Sequence, residues 1–280
     1  MSSINITKAN GEVEAFDPTK LENSLLRAGA SAPIVDDILE TIGRELKDGM
    51  TTKEIYRHAF NLLGKKSRPL AANYSLRRAV MDLGPSGFPF EKLIAEIFNR
   101  KGYTTETGRR LQGGCIEHEI DIIAYNDTEL HLIEAKFHNQ LGVKTDAKVA
   151  LYVKARYDDL KDVEIDAGGS KRKMTDSWLI TNTKFTHSAI KYGQCQDINF
   201  VGWNYPSKGN LHDMILETRL HPLTCLTTIS KSEENVLLER GVVLLRQLES
   251  KPESLDMLGI PDTQKKDVLD EVKLVLEKAK

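Results

Sequence analysis

The sequence predicts a mixed α/β protein with a β-hairpin and helical bundle first, a central domain of alternating strands and helices, and a small helical segment last. Three observations carry that prediction. Asn10-Gly11 separates two short β-forming runs, a hairpin signal. Gly84-Pro85-Ser86-Gly87 is a cluster of chain breakers. Beyond it the hydrophobic pattern moves between helical spacing at Phe90, Leu93, Ile94, Ile97 and Phe98 and strand-like runs such as Ile120–Tyr125. The expected boundaries are 1–84, 85–215 and 216–280.

In the first segment, Ile4 to Lys8 reads as a strand that turns at Asn10-Gly11 and returns through Val13 to Phe16. Asp17-Pro18 caps a helix whose Leu21, Leu25 and Leu26 share a face. Ile34 to Leu46 is a second helix. Thr51 with Glu54 forms a capping box that opens a third, and Pro69 to Leu83 gives a fourth.

The helix over Phe90 to Phe98 has one buried stripe and stops at Lys101-Gly102. Strands are expected at Ile120–Tyr125, Glu129–Phe137, Ser177–Thr181 and Ile198–Trp203. Helices are expected at about Thr145–Asp159 and Thr186–Tyr192. From Leu220 onward the pattern is helical, with turns at Ser230, Ser250 to Ser254 and Gly259.

Composition narrows the function. Of 280 residues, 40% are hydrophobic and 29% charged, a globular mix, and the net charge of −2 provides no global basic field. A nucleic-acid partner must therefore meet local clusters. No apolar run approaches the ~20 residues that span a bilayer, which argues against a membrane partner. Three cysteines (Cys115, Cys195, Cys225) without a C-x-x-C pair argue against a disulfide framework and a cysteine-rich zinc site, so a cytoplasmic setting is expected. His118, Cys115 and Cys195 lack ligand spacing and read as structural.

Chemistry concentrates in Ile120-Asp121-Ile-Ile-Ala-Tyr125, a polar turn, and Glu129-Leu-His-Leu-Ile-Glu134-Ala-Lys136. An antiparallel hairpin is expected here, with Glu134 and Lys136 on one face of its second strand. Asp121 joins them if the loop is even, for example with Tyr125 opposite Leu130, or if a bulge restores the alignment. Two close carboxylates repel, and a divalent cation removes that cost. Oxygen donors suit Mg²⁺ (or Mn²⁺), and a neighbouring lysine can orient a water or offset charge growing on a phosphate. An ordinary surface face of a strand pair is the bland alternative.

Asp121 followed by Glu134-Ala135-Lys136 resembles the core of the PD-(D/E)xK nucleases. Phe90-Glu91, the Asp-Ile-Ile strand and Leu179-Ile-Thr-Asn-Thr-Lys-Phe-Thr-His-Ser-Ala189 narrow the resemblance to the Mrr-like restriction endonucleases, over roughly Phe88 to Pro206. The resemblance implies an αβββαβ core and metal-dependent endonuclease activity on DNA. It implies metal ligation by Asp121, Glu134 and the Ala135 carbonyl, and water activation by Lys136. Glu91 is the helix carboxylate such a family places near the metal, preferred to Glu96, which neighbours Lys92, Asn99 and Arg100. Glu91 also fits a simple helix-dipole role. Gln140 and the Lys171-Arg172-Lys173 run are candidate DNA contacts, or plain loop residues. Where that family commonly has a D-G-I-D type run, this chain reads Glu117-His-Glu-Ile-Asp121.

The first segment resembles the ATP-cone, a nucleotide-binding regulatory module, through Ile6-Thr-Lys8-Ala-Asn10-Gly11, Phe16-Asp17-Pro-Thr-Lys20-Leu21, Thr52-Lys-Glu54-Ile55 and Ala71-Ala-Asn-Tyr74-Ser-Leu-Arg77. It implies ATP or dATP as a regulatory ligand, with Ile6, Lys8, Asn10 and Lys20 as binding residues. Lys8 and Lys20 can both face a triphosphate. Ala9 stands where the family usually has arginine. The C-terminal segment, with Ile229 to Gly241 and Leu258-Gly259-Ile260, is similar to helix–hairpin–helix elements, and fits a helical homodimerisation or packing tail equally well. The functional expectation is a nucleotide-regulated, Mg²⁺-dependent DNA endonuclease. The alternative is a nucleotide-responsive DNA-binding regulator whose nuclease fold does not cut.

Overall fold

The computed structural model describes residues 4–8, 10–140 and 142–277. Two compact units form, one from residues 1–76 with 262–280 and the other from 77–261. These units differ from the three expected segments. Residues 216–261 fold with the central region, where Thr224 Oγ1 donates to the Ala79 carbonyl at 2.6 Å. The last helix groups with the N-terminal unit instead. Its buried residues Val268, Val272, Val275 and Leu276 need an apolar cover, and periodicity does not say which element supplies it.

In the first unit, β1 (Asn5–Thr7) and β2 (Val13–Ala15) form the expected hairpin, with Ile6 opposite Glu14. Gly11, at φ +85°, closes the turn. Helices α1 (Pro18–Arg27), α2 (Ala32–Glu45), α3 (Thr52–Lys66) and α4 (Arg68–Met81) follow close to their expected bounds, and the residues of α4 from 77 onward belong to the second unit. Asp17 accepts from the Thr19 amide at the start of α1, and Thr51 with Glu54 makes the capping box of α3. Ala9, the departure from the ATP-cone pattern, lies outside the described residues.

The second unit begins with α5 (Phe88–Arg100) and continues through β3 (Thr104–Gln112), β4 (Glu117–Tyr125) and β5 (Leu130–Lys136). Then come β6 (Lys144–Thr145), α6 (Ala147–Leu160), β7 (Ile165–Ala167), β8 (Ser170–Arg172) and β9 (Asp176–Thr181). The core closes with β10 (Lys184–Phe185), α7 (His187–Cys195) and β11 (Asn199–Val201). After them lie α8 (Leu211–Thr218), α9 (Lys231–Glu239) and α10 (Leu245–Ser250); α11 (Asp262–Leu276) is the helix of the first unit. The central sheet has the order β11-β9-β5-β4-β3, antiparallel across β3, β4 and β5 and parallel from β5 outward. This is the mixed α/β class that the sequence predicts.

Two elements have weak sequence signals. Strand β3 is polar and mostly exposed, as an edge strand can be, so it shows little apolar alternation. The β7–β8 hairpin turns on Gly168 and Gly169, both at positive φ, a glycine pair that marks a hairpin turn. Among the described residues, no helix is long and apolar enough to cross a membrane.

Candidate active site

Asn126 sets the register at the site. Its side chain accepts from the Thr128 and Glu129 amides at 2.9 Å each, folding a four-residue loop that leaves Tyr125 opposite Leu130. This even loop brings the Asp121 and Glu134 positions opposite each other. The β4–β5 pairing runs from that end to Ile122–Ile133. At the next step Asp121 Oδ2 accepts the Ala135 amide at 2.8 Å. On the other side, β3 pairs with β4 at Thr107–Ile122 and again at Arg109–Ile120, skipping Gly108, which has φ +63°. Both neighbouring strands therefore change geometry at Asp121.

Glu134 and Lys136 share a face of β5 by strand periodicity. Glu134 Oε2 accepts from Arg156 Nη1 at 2.7 Å, with only 7% of the arginine side chain and 14% of the glutamate exposed. Arg156 belongs to α6 and aligns with the buried Val153 and Leu160. The exposed Tyr152 ring covers its guanidinium, 4.4 Å from the ring centre. Asp159, on the same helix, accepts from His118 Nε2 and the Cys115 amide at 2.8 Å each, anchoring the start of β4 ahead of Asp121.

Burial is the main force raising the Asp121 carboxyl, opposed by the Ala135 amide, Arg156 and Lys136. Burial and then Asp121 raise Glu134, while Arg156 and Lys136 oppose them. Glu91 lies in the first turn of α5, beside Phe90, whose ring packs 5.6 Å from that of Phe137 just past Lys136. Burial, followed by the charges of Asp121, Glu134 and Glu119, pushes Glu91 up to about 7. Glu96, by contrast, binds Asn99 and Arg100 on the solvated side.

The Thr181-Asn182-Thr183 motif braces the end of β5. Asn182 exchanges two hydrogen bonds with the His138 backbone, at 2.9 and 2.7 Å. The His138 ring contacts Thr145 Oγ1 at 3.0 Å, and that hydroxyl donates to Thr181. Thr186 caps α7 by accepting from the Ala189 amide.

Asp121 and Glu134 present carboxylate oxygens at this point of the sheet, and with the Ala135 carbonyl they would make an oxygen-only set of the kind that suits Mg²⁺ with several waters retained. Among the described residues, neither Asp121 Oδ1 nor Glu134 Oε1 accepts a hydrogen bond. No group of three or more His, Cys, Asp and Glu side chains among them is placed to hold a metal, so a divalent ion here would rest on these two carboxylates with backbone oxygen and water.

Other candidates lie elsewhere. Gln140 is exposed, four residues past Lys136. Arg172 donates to the Asn126 and Asp127 carbonyls at 2.7 and 2.9 Å, binding the β4–β5 turn. That turn is roughly 13 Å of strand away from Glu134. Lys171 and Lys173 are exposed, and Lys171 lies 3.9 Å from Glu164. The run is thus not beside the carboxylates. In the other unit, Ile6 is 6% exposed and packs in the core. Asn10 accepts from the Glu12 amide. Lys8 and Lys20 both reach Glu14, at 2.8 and 3.0 Å, and are brought together by it.

Arg156 is the residue that sequence reasoning missed. Its signal was a charge at a buried position of a helical stripe.

Comparison with known proteins gives three family matches: the ATP cone domain over residues 4–82, Restriction endonuclease over 85–202, and AF1548-like, C-terminal over 221–276. The chain joins an ATP-cone domain to an Mrr-type restriction-endonuclease-like domain. Folds of the latter kind usually use divalent metals, and ATP-cones bind nucleotides. An uncharacterized protein of Archaeoglobus fulgidus is 35% identical over 184 residues, 65% of this chain and 99% of the relative. A crystal structure of a protein of unknown function, AF1548, has 33% identity and a TM-score of 0.55, covering 68% of this chain and 98% of that one. A third match, protein VC1899 from Vibrio cholerae, has 14% identity and a TM-score of 0.31, covering 72% and 52%.

Proposed function

This chain belongs to the AF1548-like family, and from that premise we propose that it is a divalent-metal-dependent DNA endonuclease regulated by a nucleotide. The observation that carries the proposal is the meeting of Asp121 and Glu134 across β4 and β5, with Lys136 on the same strand face as Glu134.

Asp121, Glu134 and the Ala135 carbonyl would hold Mg²⁺ or Mn²⁺ in this reading, and the ion would supply Lewis acidity toward the scissile phosphate. The Lys136 ammonium orients the attacking water and offsets negative charge as it builds on phosphorus. Glu91, whose carboxyl is pushed up to about 7 by burial and the neighbouring acids, is suited to exchange a proton near neutrality. Gln140, exposed just past the β5 end, is a DNA contact in this reading, whereas Arg172 is better read as a structural brace.

In the N-terminal unit, Lys8 and Lys20 gather on Glu14, so a triphosphate replaces that carboxylate as their shared anion. Asn10 shapes the turn beside them. The absence of a disulfide at Cys115, Cys195 and Cys225, among the described residues, and the nucleotide-binding module support a cytoplasmic setting.

One observation favours a second reading, a DNA-binding regulator that does not cut: Arg156 already neutralises Glu134. Nicking of supercoiled plasmid by the full chain, with Mg²⁺ and with EDTA, separates the two. Metal-dependent nicking supports the endonuclease, while DNA binding without nicking supports the regulator.

A further inference from the structure

Arg156 occupies a place on α6 where an apolar residue is expected. It aligns with buried Val153 and Leu160 and faces the sheet. A guanidinium does not lose its proton in a protein, so this position carries a fixed positive charge into the site. Its engagement there is incomplete. Nη1 donates to Glu134 Oε2 at 2.7 Å, the Tyr152 ring covers the guanidinium, and Nε is buried with no hydrogen-bond partner. A buried arginine retained only for structure is best served by a two-point carboxylate bond with its donors satisfied. This one makes a one-point bond to Glu134 and, among the described residues, leaves Nε without a partner.

The charges explain the arrangement. Asp121 and Glu134 are two acids on one buried face, within reach of the charges of Glu91 and Glu119, and Lys136 and Arg156 are the bases that offset them in part. Glu134 therefore already has a cationic partner before any metal arrives. A divalent ion between the carboxylates would bring two further positive charges against Arg156.

We propose that Arg156 is a built-in counter-cation, which occupies Glu134 in the metal-free protein and competes with the divalent ion for that carboxylate. The inference rests on the metal-site reading given above. It makes Arg156 a positioning residue that sets metal affinity, and it gives the site a resting state in which Glu134 is held without metal.

The test is thermal unfolding of the full chain at pH 7 over a Mn²⁺ titration, comparing wild type, Arg156→Met, Arg156→Lys and Arg156→Met with Glu134→Gln. Met matches the arginine stem without its charge. Arg156→Met should unfold at a lower temperature in EDTA, yet bind Mn²⁺ about tenfold more tightly than wild type and gain a larger shift from it. Arg156→Lys, which keeps the charge, should stay near wild type in Mn²⁺ affinity. Adding Glu134→Gln should abolish the gain, because the two side chains act on one contact. If Arg156→Met does not fold in EDTA, Arg156→Gln, uncharged but still able to donate to Glu134, takes its place in the titration and should show the same gain in affinity. Equal Mn²⁺ affinity in wild type and the uncharged variant overturns the inference while leaving the metal site intact. A wild type with no Mn²⁺-dependent shift overturns the metal-site reading itself, and the inference with it.

Discussion

Asp121 Oδ2 accepts the Ala135 backbone amide at 2.8 Å, beyond the Ile122–Ile133 pair where the β4–β5 ladder ends. A carboxylate thus ties the two strands at the point where they diverge. The same bond fixes Asp121 opposite Glu134 and, among the described residues, leaves Oδ1 without a hydrogen bond.

Asp121→Asn separates the structural part of that contact from the chemical part. The amide oxygen can still accept from Ala135, so folding should be nearly unchanged. Cleavage should be lost, while DNA binding stays equal or strengthens because a negative charge near phosphate is gone. Cleavage at the wild-type rate in this variant would falsify the assignment of Asp121.

Glu91 predicts a pH dependence of stability. Its carboxyl has an ordinary value of 4.5 and is pushed up to about 7 in the fold. Between those values the folded chain holds a proton that the unfolded chain has released, so stability falls as pH rises through the window. The contribution is full below pH 4.5 and gone above about pH 7. Asp121 and Glu134 are raised as well and act with the same sign. Partial exposure of Glu91 reduces the effect below its ideal linkage value. Urea midpoints in EDTA from pH 5 to 8 should decline in wild type and decline less in Glu91→Gln. An unchanged slope in the variant contradicts the placement of Glu91 among these charges.

Lys136 is expected to act on the chemical step. Lys136→Ala should slow single-turnover cleavage by roughly 10²-fold, about 2.7 kcal/mol in barrier. Lys136→Arg should also fail, because a planar guanidinium neither fits nor releases a proton as an ammonium does. DNA affinity should change little in either variant. Near-normal rates with arginine point to a lysine that only balances charge.

Lys8 and Lys20 predict nucleotide-linked stability. Saturating ATP or dATP at ~100 times Kd adds about 2.7 kcal/mol to a protein that binds it only when folded. Lys8→Ala with Lys20→Ala should abolish the resulting shift in Tm. A wild type that shows no shift with millimolar adenine nucleotide removes the regulatory part of the account.

Much of this architecture was legible in local chemistry. Asn10-Gly11, Asp17-Pro18 and Thr51 with Glu54 act over a few residues, and each forms the turn or cap that its residue types favour. Loop parity named the Tyr125–Leu130 register as one way for Asp121 to meet Glu134 and left a bulge open as the other; the Asn126 side chain decides for the first. What stayed hidden depends on distant partners. Strand β3 hides because an edge strand needs few apolar residues. The role of Arg172 is set by carbonyls some 45 residues earlier, at Asn126 and Asp127. Arg156 meets Glu134 from 22 residues away. Spacing along the chain carries no trace of such contacts until the sheet and helix are assembled.

The central claim is that Asp121 and Glu134 share a divalent ion, and anomalous diffraction from crystals soaked in Mn²⁺ tests it most directly. The account predicts a manganese peak within about 2.0–2.3 Å of oxygens from Asp121 and Glu134, with Arg156 drawn away from Glu134. A map with no peak there, at Mn²⁺ concentrations that saturate other sites in the crystal, and with Arg156 still on Glu134, would contradict it.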